Sequence, residues 1–404
     1  MIRSDVQMVG VRPEVELLLL CARTQMDPKR AARVETLLQE NIDWDYLLKT
    51  AQEHGVIPLL YWNLNAACPE AVPKATLNQL RGCFHKNAQR NVFWVGELLR
   101  LLNLFKTHEI SAVSFKGPSL AASVYGNLAL RQFGDLDILV REQDVLKAKD
   151  LLLSQGYRPE YQWTRHQEKA LLRSWCEYPF VHDGSGVRVD LHVKVAPKYF
   201  SFPLKPERLW ERLEPSSLAG QEVAALSTED LLLILCVHGT KHLWQALDSI
   251  CAVAELTRVS EEVDWARVMQ QARELGSERM LFLGLLLASD LLGATLPDHV
   301  LQRAGADPSA EALAAQVRGQ LFREADNPPN IFEQSLFHLK ARERLRHRVR
   351  YRVLRAVTLN SEDWVLPLPA SLFFLNYVLR PARLIDTYRM DLFRRGIDLL
   401  RQVT

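Results

Sequence analysis

The run Asp135-Leu136-Asp137-Ile138-Leu139-Val140 decides how this chain folds. Its alternation predicts a β-strand, and on a strand residues i and i+2 share a face. Asp135 and Asp137 therefore project together, while Ile138, Leu139 and Val140 give the strand a buried character. Two carboxylates one side-chain spacing apart repel each other unless a cation lies between them. Such a pair on a core strand calls for a divalent metal, a basic partner or open solvent, and hard oxygen ligands favour Mg²⁺ or Mn²⁺.

Downstream, two further alternating runs, 178–182 and 187–193, flank Asp183-Gly184-Ser185-Gly186. This spacing predicts a β-hairpin. In its second strand Val187, Val189, Leu191 and Val193 form one face, and Arg188, Asp190, His192 and Lys194 the other. If this strand lies beside the first, Asp190 joins Asp135 and Asp137, and three carboxylates can hold two metal ions about 4 Å apart. Any one of these aspartates alone reads as a solvated strand edge; the three in this order favour a metal site. His192 shares the face of Asp190 and is a candidate orienting group.

Upstream, Ser111-Ala112-Val113-Ser114-Phe115 reads as a short strand stopped by Lys116-Gly117-Pro118. Pro118 suits a helix's first turn, and the helix over 119–125 ends at Gly126-Asn127. A turn that leaves a strand and opens a helix presents free backbone N–H groups, a natural seat for phosphate. Gly117 permits close approach, the Ser119 hydroxyl can donate, and Lys116 adds charge. A helix over 142–154, closed by Gly156, completes a strand, helix, strand, helix, hairpin order.

Helical periodicity dominates on both sides of this core. Before it, Leu37, Leu38, Trp44, Leu47, Leu48, Ile57, Leu59 and Leu60 recur at spacings of three and four, with Asp43 placed as an N-cap. A long amphipathic helix is expected over 77–105. After Pro206 the pattern reads as helical to the end: one helix opening at Thr228-Glu229-Asp230 and running toward Glu255, then others over 265–275, 279–292 and 310–323. The segment Asn327-Pro328-Pro329-Asn330 reads as a linker. The expected division is an N-terminal helical domain (1–105), a mixed α/β core (106–215), a helical domain (216–326) and a basic C-terminal helical region (327–404).

The 404 residues are 48% apolar and 24% charged, with formal net charge +2. These are the proportions of a globular protein, and the near-zero net charge gives no overall attraction for nucleic acid. The six cysteines form no C-x-x-C pair and no zinc-ligand spacing, and read as buried thiols of a reducing compartment. No stretch reaches the roughly eighteen apolar residues of a membrane span. Glu14 and Glu16 stand where a signal peptide would need positive charge, so a cytoplasmic location is expected.

The order of these motifs resembles the polymerase-beta-like nucleotidyltransferase superfamily: a glycine turn with a small hydroxyl residue, a D-x-D strand, then one acidic residue on a later strand. More narrowly it resembles a large, poorly characterised bacterial nucleotidyltransferase family. The matching residues are Phe115-Lys116-Gly117, Arg131 with the 135–140 strand, Val189-Asp190-Leu191-His192, and His238-Gly239-Thr240-Lys241-His242. The likeness extends to Asp43, Trp44 and 54–60 before the core, and to 363–369 and Arg380-Pro381 after it. Gly117 stands 18 residues before Asp135 and is followed by Pro118, a wider spacing than the superfamily's glycine turn.

The resemblance implies an α+β fold in which a small mixed-sheet nucleotidyltransferase core is embedded between N-terminal and C-terminal α-helical domains. It implies transfer of a nucleoside monophosphate, AMP from ATP, to a hydroxyl-type acceptor, foremost a small molecule and next a protein side chain (AMPylation). Nucleic acid is the third choice of acceptor. Asp135 and Asp137 would bind both metals, Asp190 would complete the hydroxyl-activating site, and Arg131 would contact the triphosphate or order the strand entry. A rival reading is a nucleotide-binding sensor or adaptor whose site does not turn over.

His238, Lys241 and His242 occupy i, i+3 and i+4, so one helix face carries all three. They are candidates for lining the nucleotide or acceptor pocket, with interhelical hydrogen bonding as the plain alternative and a metal as the third, although no Glu follows His238 as in H-E-x-x-H. Residues 340–355 hold eight Lys and Arg against the single acid Glu343, a solvated helix face or an anion-binding one. The apolar stretch 365–379, broken by prolines, is expected to pack under it. Trp163, Trp175, Trp210 and Trp244 fill the core or stack a base.

Overall fold

The computed structural model describes residues 12–161, 176–260, 263–323, 329–358, 375–377 and 379–383. Trp163, Trp175, the 363–369 motif, Asn327-Pro328 and most of the 365–379 stretch lie outside the described residues.

Four short helices come first: α1 (Pro13–Cys21), α2 (Pro28–Leu37), α3 (Trp44–Glu53) and α4 (Ile57–Ala67). Asp43 caps α3 as its position predicts, accepting from the Tyr46 N–H at 3.0 Å. Then α5 runs unbroken from Lys74 to Thr107. Its buried column changes character partway. Leu77 and Leu80 join the helical core, whereas Trp94, Val95, Leu98, Leu101 and Phe105 lie under the sheet. At the joint sit Asn87 and Asn91, one turn apart and both buried.

A five-stranded mixed sheet follows, in the order β1-β2-β5-β4-β3. The strands are β1 (Ala112–Ser114), β2 (Leu136–Val140), β3 (Tyr157–Pro159), β4 (Glu177–His182) and β5 (Arg188–His192). Helices α6 (Gly117–Ser123) and α7 (Val145–Ser154) lie between them in the chain. Only β2 and β5 run parallel; the other neighbours are antiparallel. The expected hairpin is β4–β5, its turn closed by the Gly184 and Ser185 N–H groups donating to His182 Nδ1.

One sheet face is apolar: Leu136, Ile138, Val140, Tyr178, Phe180, Val189 and Leu191 pack in one cluster with α5. The alternate positions on the other face carry Asp137, Asp190, His192 and Glu177. Burying a strand on both faces while one face bears carboxylates is costly unless those charges find partners. All five residues of β2 are nonetheless buried.

After α8 (Pro206–Trp210) the chain forms a second hairpin, β6 (Glu214–Leu218) with β7 (Gln221–Ala225), where continuous helix was expected. Its tight turn is Ala219-Gly220, both at positive φ, a signal that the helical periodicity around it masked. The helices α9 (Thr228–Lys241) and α10 (Leu247–Val259) correct a second expectation, that one helix continues toward Glu255. The break is forced by packing. Leu243 and Trp244 adopt left-handed φ of 59° and 53°, turning the Trp244 indole back into the core at 1% exposure. Room for it exists only because residue 239 lacks a side chain: a Cβ there would stand 2.5 Å from the ring. The glycine of His238-Gly239 thus serves packing, and Trp244 is a core residue. Trp210 is half-buried with the Arg141 guanidinium 4.9 Å from its ring centroid.

Next come α11 (Trp265–Leu275), α12 (Glu278–Leu292), α13 (Asp298–Gly305) and α14 (Pro308–Gln320); α11, α12 and α14 lie close to the periods read in the sequence, and α13 was not expected as a separate helix. Helices before and after the sheet share one apolar core, in which Leu17, Leu18 and Leu60 join Leu233, Leu283 and Leu313. Polar contacts tie the same elements: Arg23 Nη2 donates to the Leu292 carbonyl at 3.1 Å and the Thr24 hydroxyl to Glu255 at 2.6 Å. α15 (Ile331–Lys340) opens with a capping box of Asn330 and Glu333.

The basic segment forms α16 (Leu345–Val357). One side of it is anchored by His347 and Tyr351, while Leu345, Val349, Val353 and Val357 are exposed. Arg342, just before it, is fully buried, 4.2 Å from the Tyr351 ring centroid and 4.5 Å from that of Phe200. Among the described residues no helix is long and apolar enough to cross a membrane. All six cysteines are free thiols, five of them buried.

Candidate functional site

The site lies on the charged face of the sheet, at the β2–β5 pair. Parallel pairing sets Asp137 directly beside Asp190 and Leu139 beside His192, and neighbouring strands are about 4.8 Å apart. The two separate β-segments therefore bring their carboxylates together on one face of the sheet. Ligand atoms of Asp137, Asp190 and His192 all fall within 4.8 Å of one another. Asp135, one residue before β2, belongs to the same side but not to that tight group. It feels the Asp137 charge, and Asp190 feels it in turn.

The glycine turn reaches the site despite its distance in sequence. Gly117 has φ +50°, and a Cβ there would stand 3.1 Å from the Asp135 carbonyl oxygen. A side chain would push the turn off the strand entry, so the close approach is what requires glycine. Lys116 does not point outward. Its Nζ donates to Asp137 Oδ1 at 3.2 Å, with the Lys side chain 12% exposed and the Asp 7%. Ser119 is half-buried on the first turn of α6.

Asp137 has a second cation. His192 Nε2 lies 2.9 Å from the same Oδ1, and His192 Nδ1 lies 3.6 Å from Glu177 Oε2. The ring is 2% exposed and meets Phe115 edge-on at 5.2 Å. Burial works against a charge on His192, but the hydrogen bond to Asp137 and the charges of Glu177 and Asp137 outweigh it and raise its pKa to about 10. That favours the charged ring, which donates from Nε2 to Asp137, while Nδ1 finds no hydrogen-bond partner among the described residues. For Asp137 the balance is the reverse. Burial pushes its carboxyl up, and Lys116 and His192 pull it far below the usual range.

The remaining carboxylates are not so well served. Asp190 is pushed up to about 7 by burial, with Glu177, Asp135 and Asp137 adding to the rise against the opposing pull of His192. Asp135 is raised by burial and by Asp137, against Lys116, Arg131 and His192. Asp190 and Asp135 are thus half-buried carboxylates short of positive charge, a condition that a divalent cation relieves. The oxygen donor set suits Mg²⁺ or Mn²⁺. The residues present fit such an ion.

Glu177, which the sequence reading did not single out, opens β4 opposite His192. Burial would raise its carboxyl, yet Lys241, His192 and Lys116 hold it below its usual value. Together with Cys176 and His192 it forms a second tight group of possible ligand atoms. Its signal was present in the hairpin register, since counting back from the 183–186 turn pairs it with His192. Lys241, from the C-terminal end of α9, turns its charge toward Cys176, Glu177 and Asp137; burial opposes that charge, and these partners raise its pKa above normal. His238 and His242 stand with ring centroids 4.5 Å apart. Desolvation first, then Lys116 and the neighbouring cations, hold His238 neutral. His242, with desolvation and Lys241 acting on it, falls to about 4.

Arg131 lies at the strand entry, half-buried, and its charge bears on Asp135. Its backbone is held from below. The Asn91 amide donates to the Leu128 and Arg131 carbonyls at 2.7 and 2.8 Å, and the Asn87 amide to Ala129 and Arg131 at 2.9 and 3.1 Å. These asparagines satisfy an otherwise orphaned loop backbone in the interior. A period-based reading registers them only as polar interruptions of the apolar column of α5.

Residues 40–293, well over half of the chain and including every site residue named above, match the model of a family described as "Uncharacterised nucleotidyltransferase". No curated protein matches. Among solved structures, an antigenic nucleotidyltransferase-like protein from Paracoccidioides brasiliensis is similar at 13% identity and a TM-score of 0.32. The match covers 52% of this chain and 96% of that one, a likeness too slight to argue from. On the strength of the family match, the chain belongs to this family of uncharacterised nucleotidyltransferases.

Proposed function

We propose that this protein is a Mg²⁺- or Mn²⁺-dependent enzyme that transfers AMP from ATP to a hydroxyl group, foremost of a small molecule. The observation that carries the reading is the β2–β5 register, which sets Asp137 beside Asp190 while Gly117 abuts the Asp135 backbone. Asp135 and Asp137 would hold the cations jointly, and Asp190 would complete the position on the acceptor side. Bound there, divalent cations would supply charge neutralisation at the triphosphate and a more acidic acceptor hydroxyl. Lys116 and Ser119 offer donors to phosphate oxygens, and Arg131 stiffens the entry to β2. His238, Lys241 and His242 would line the nucleotide pocket. Among other acceptors, a protein side chain ranks second.

One observation favours the rival sensor reading: Asp137 already has two cationic partners, so the site is partly neutralised before any metal binds. Pyrophosphate release separates the two. The protein is incubated with each labelled triphosphate, Mg²⁺ and a panel of hydroxyl acceptors. Release that is lost in Asp135→Ala and Asp190→Ala supports the enzyme. Metal-dependent nucleotide binding with no release across the panel would instead support the sensor.

A further inference from the structure

We propose that Lys116 is a displaceable internal counter-ion: it occupies Asp137 until a divalent cation binds, and is then released to pair with the polyphosphate of the nucleotide. This inference rests on the metal-dependent reading above and concerns how that site is loaded.

The geometry points to Lys116 and not to His192 as the mobile partner. Both donate to the same atom, Asp137 Oδ1, at 3.2 and 2.9 Å. The His192 ring is fixed by its place on β5, by the edge-on contact with Phe115 and by Glu177 on its far side. Lys116 instead carries its ammonium on a flexible four-carbon stem at the turn between β1 and α6, and is the more exposed of the two.

A divalent cation drawing on Asp137 cannot leave an ammonium about 3 Å from the same carboxylate without like-charge repulsion. Asp137 Oδ1 already meets two side-chain nitrogens, Lys116 Nζ and His192 Nε2, so a doubly charged ion drawn to that carboxylate has to displace one of them, and the group free to move is Lys116. Its ammonium then has reason to leave and to find an anion beside the same sheet face, and lysine is a good point-charge partner for phosphate. Metal and polyphosphate would accordingly promote each other's binding, with equal coupling in both directions.

The test uses the full-length protein without nucleotide. Mn²⁺ binding is followed by the paramagnetic resonance signal of the free ion, for wild type, Lys116→Met, Lys116→Arg and Asp137→Asn. Removing the competing ammonium should tighten Mn²⁺ binding about tenfold in Lys116→Met, within the usual range of coupling between sites. Lys116→Arg, which keeps a cation, should bind as wild type does. Inorganic tripolyphosphate, titrated with Mn²⁺ present, should bind more weakly to Lys116→Met.

A second measurement needs no variant. The rate at which an amine-acylating reagent labels Lys116, read by peptide mass spectrometry, should rise in Mn²⁺ relative to EDTA. Mn²⁺ binding equal to or weaker than wild type in Lys116→Met overturns the displacement while leaving the metal site standing. So does unchanged Lys116 labelling. Wild type that binds no more Mn²⁺ than Asp137→Asn removes the metal reading itself, and this inference with it.

Discussion

Replacing Asp190 by asparagine should make the metal-free protein more stable at alkaline pH while disabling the site. Burial and the surrounding carboxylates raise Asp190 from 3.8 to about 7. At about 1.4 kcal/mol per unit, that displacement sets a ceiling of about 4 kcal/mol on the cost of ionising Asp190 in the folded state. Partial access to water and sharing of charge among neighbouring carboxylates reduce this, and we expect about 2 kcal/mol.

The sign follows from the folded value lying above the unfolded one. Below pH about 4 both states are protonated, and Asp190 takes nothing from stability. As pH rises toward 7 the unfolded chain ionises first, and the folded state progressively loses that difference. Asparagine, nearly the same shape and unable to ionise, escapes the loss. In EDTA, thermal or urea unfolding followed by circular dichroism should show Asp190→Asn equal to wild type at pH 4 and more stable by about 2 kcal/mol at pH 8. Saturating Mg²⁺ should shrink or reverse the gap, because only the wild-type carboxylate gains a ligand. Parallel pH profiles for the two proteins in EDTA, or a variant that is less stable at pH 8 than wild type, would refute the reasoning.

Two further substitutions probe how the site is held. Gly117→Ala adds a methyl 3.1 Å from the Asp135 carbonyl at φ +50°; a cost of about 1–2 kcal/mol in stability is expected, with pyrophosphate release falling at least about tenfold as Asp135 shifts. Unchanged release would show that the turn does not position Asp135. Asn91→Ala deprives the half-buried Leu128 and Arg131 carbonyls of a donor; about 1–2 kcal/mol of stability should go with it, and the apparent affinity for triphosphate should weaken through Arg131. A destabilised variant with unaltered triphosphate affinity would confine Asn91 to a structural role.

Much of this protein is legible in local pattern. The parity of Asp135 and Asp137, the hairpin around 183–186 and the helices at 265–275 and 279–292 follow from periodicity and turn chemistry, which act over a few residues. The family resemblance could be read because its motifs are particular residue types in a particular order along the chain. What remained hidden depends on pairs distant along the chain. The register that sets Asp137 rather than Asp135 directly beside Asp190 is a choice between strands. That Lys116 and His192 both serve one oxygen of Asp137, leaving Asp190 short of positive charge, is a matter of distances that no spacing encodes.

The break after α9 shows the same division. The apolar period over 228–255 favours continuous helix, and only the space left by Gly239 and Gly284 for the Trp244 indole turns the chain. Sequence by itself determined which groups are present and which face of a strand or helix each takes, because backbone geometry is local. Tertiary structure alone decided which charges neutralise which, because electrostatic compensation in a buried site depends on separations of a few ångströms between residues tens of positions apart.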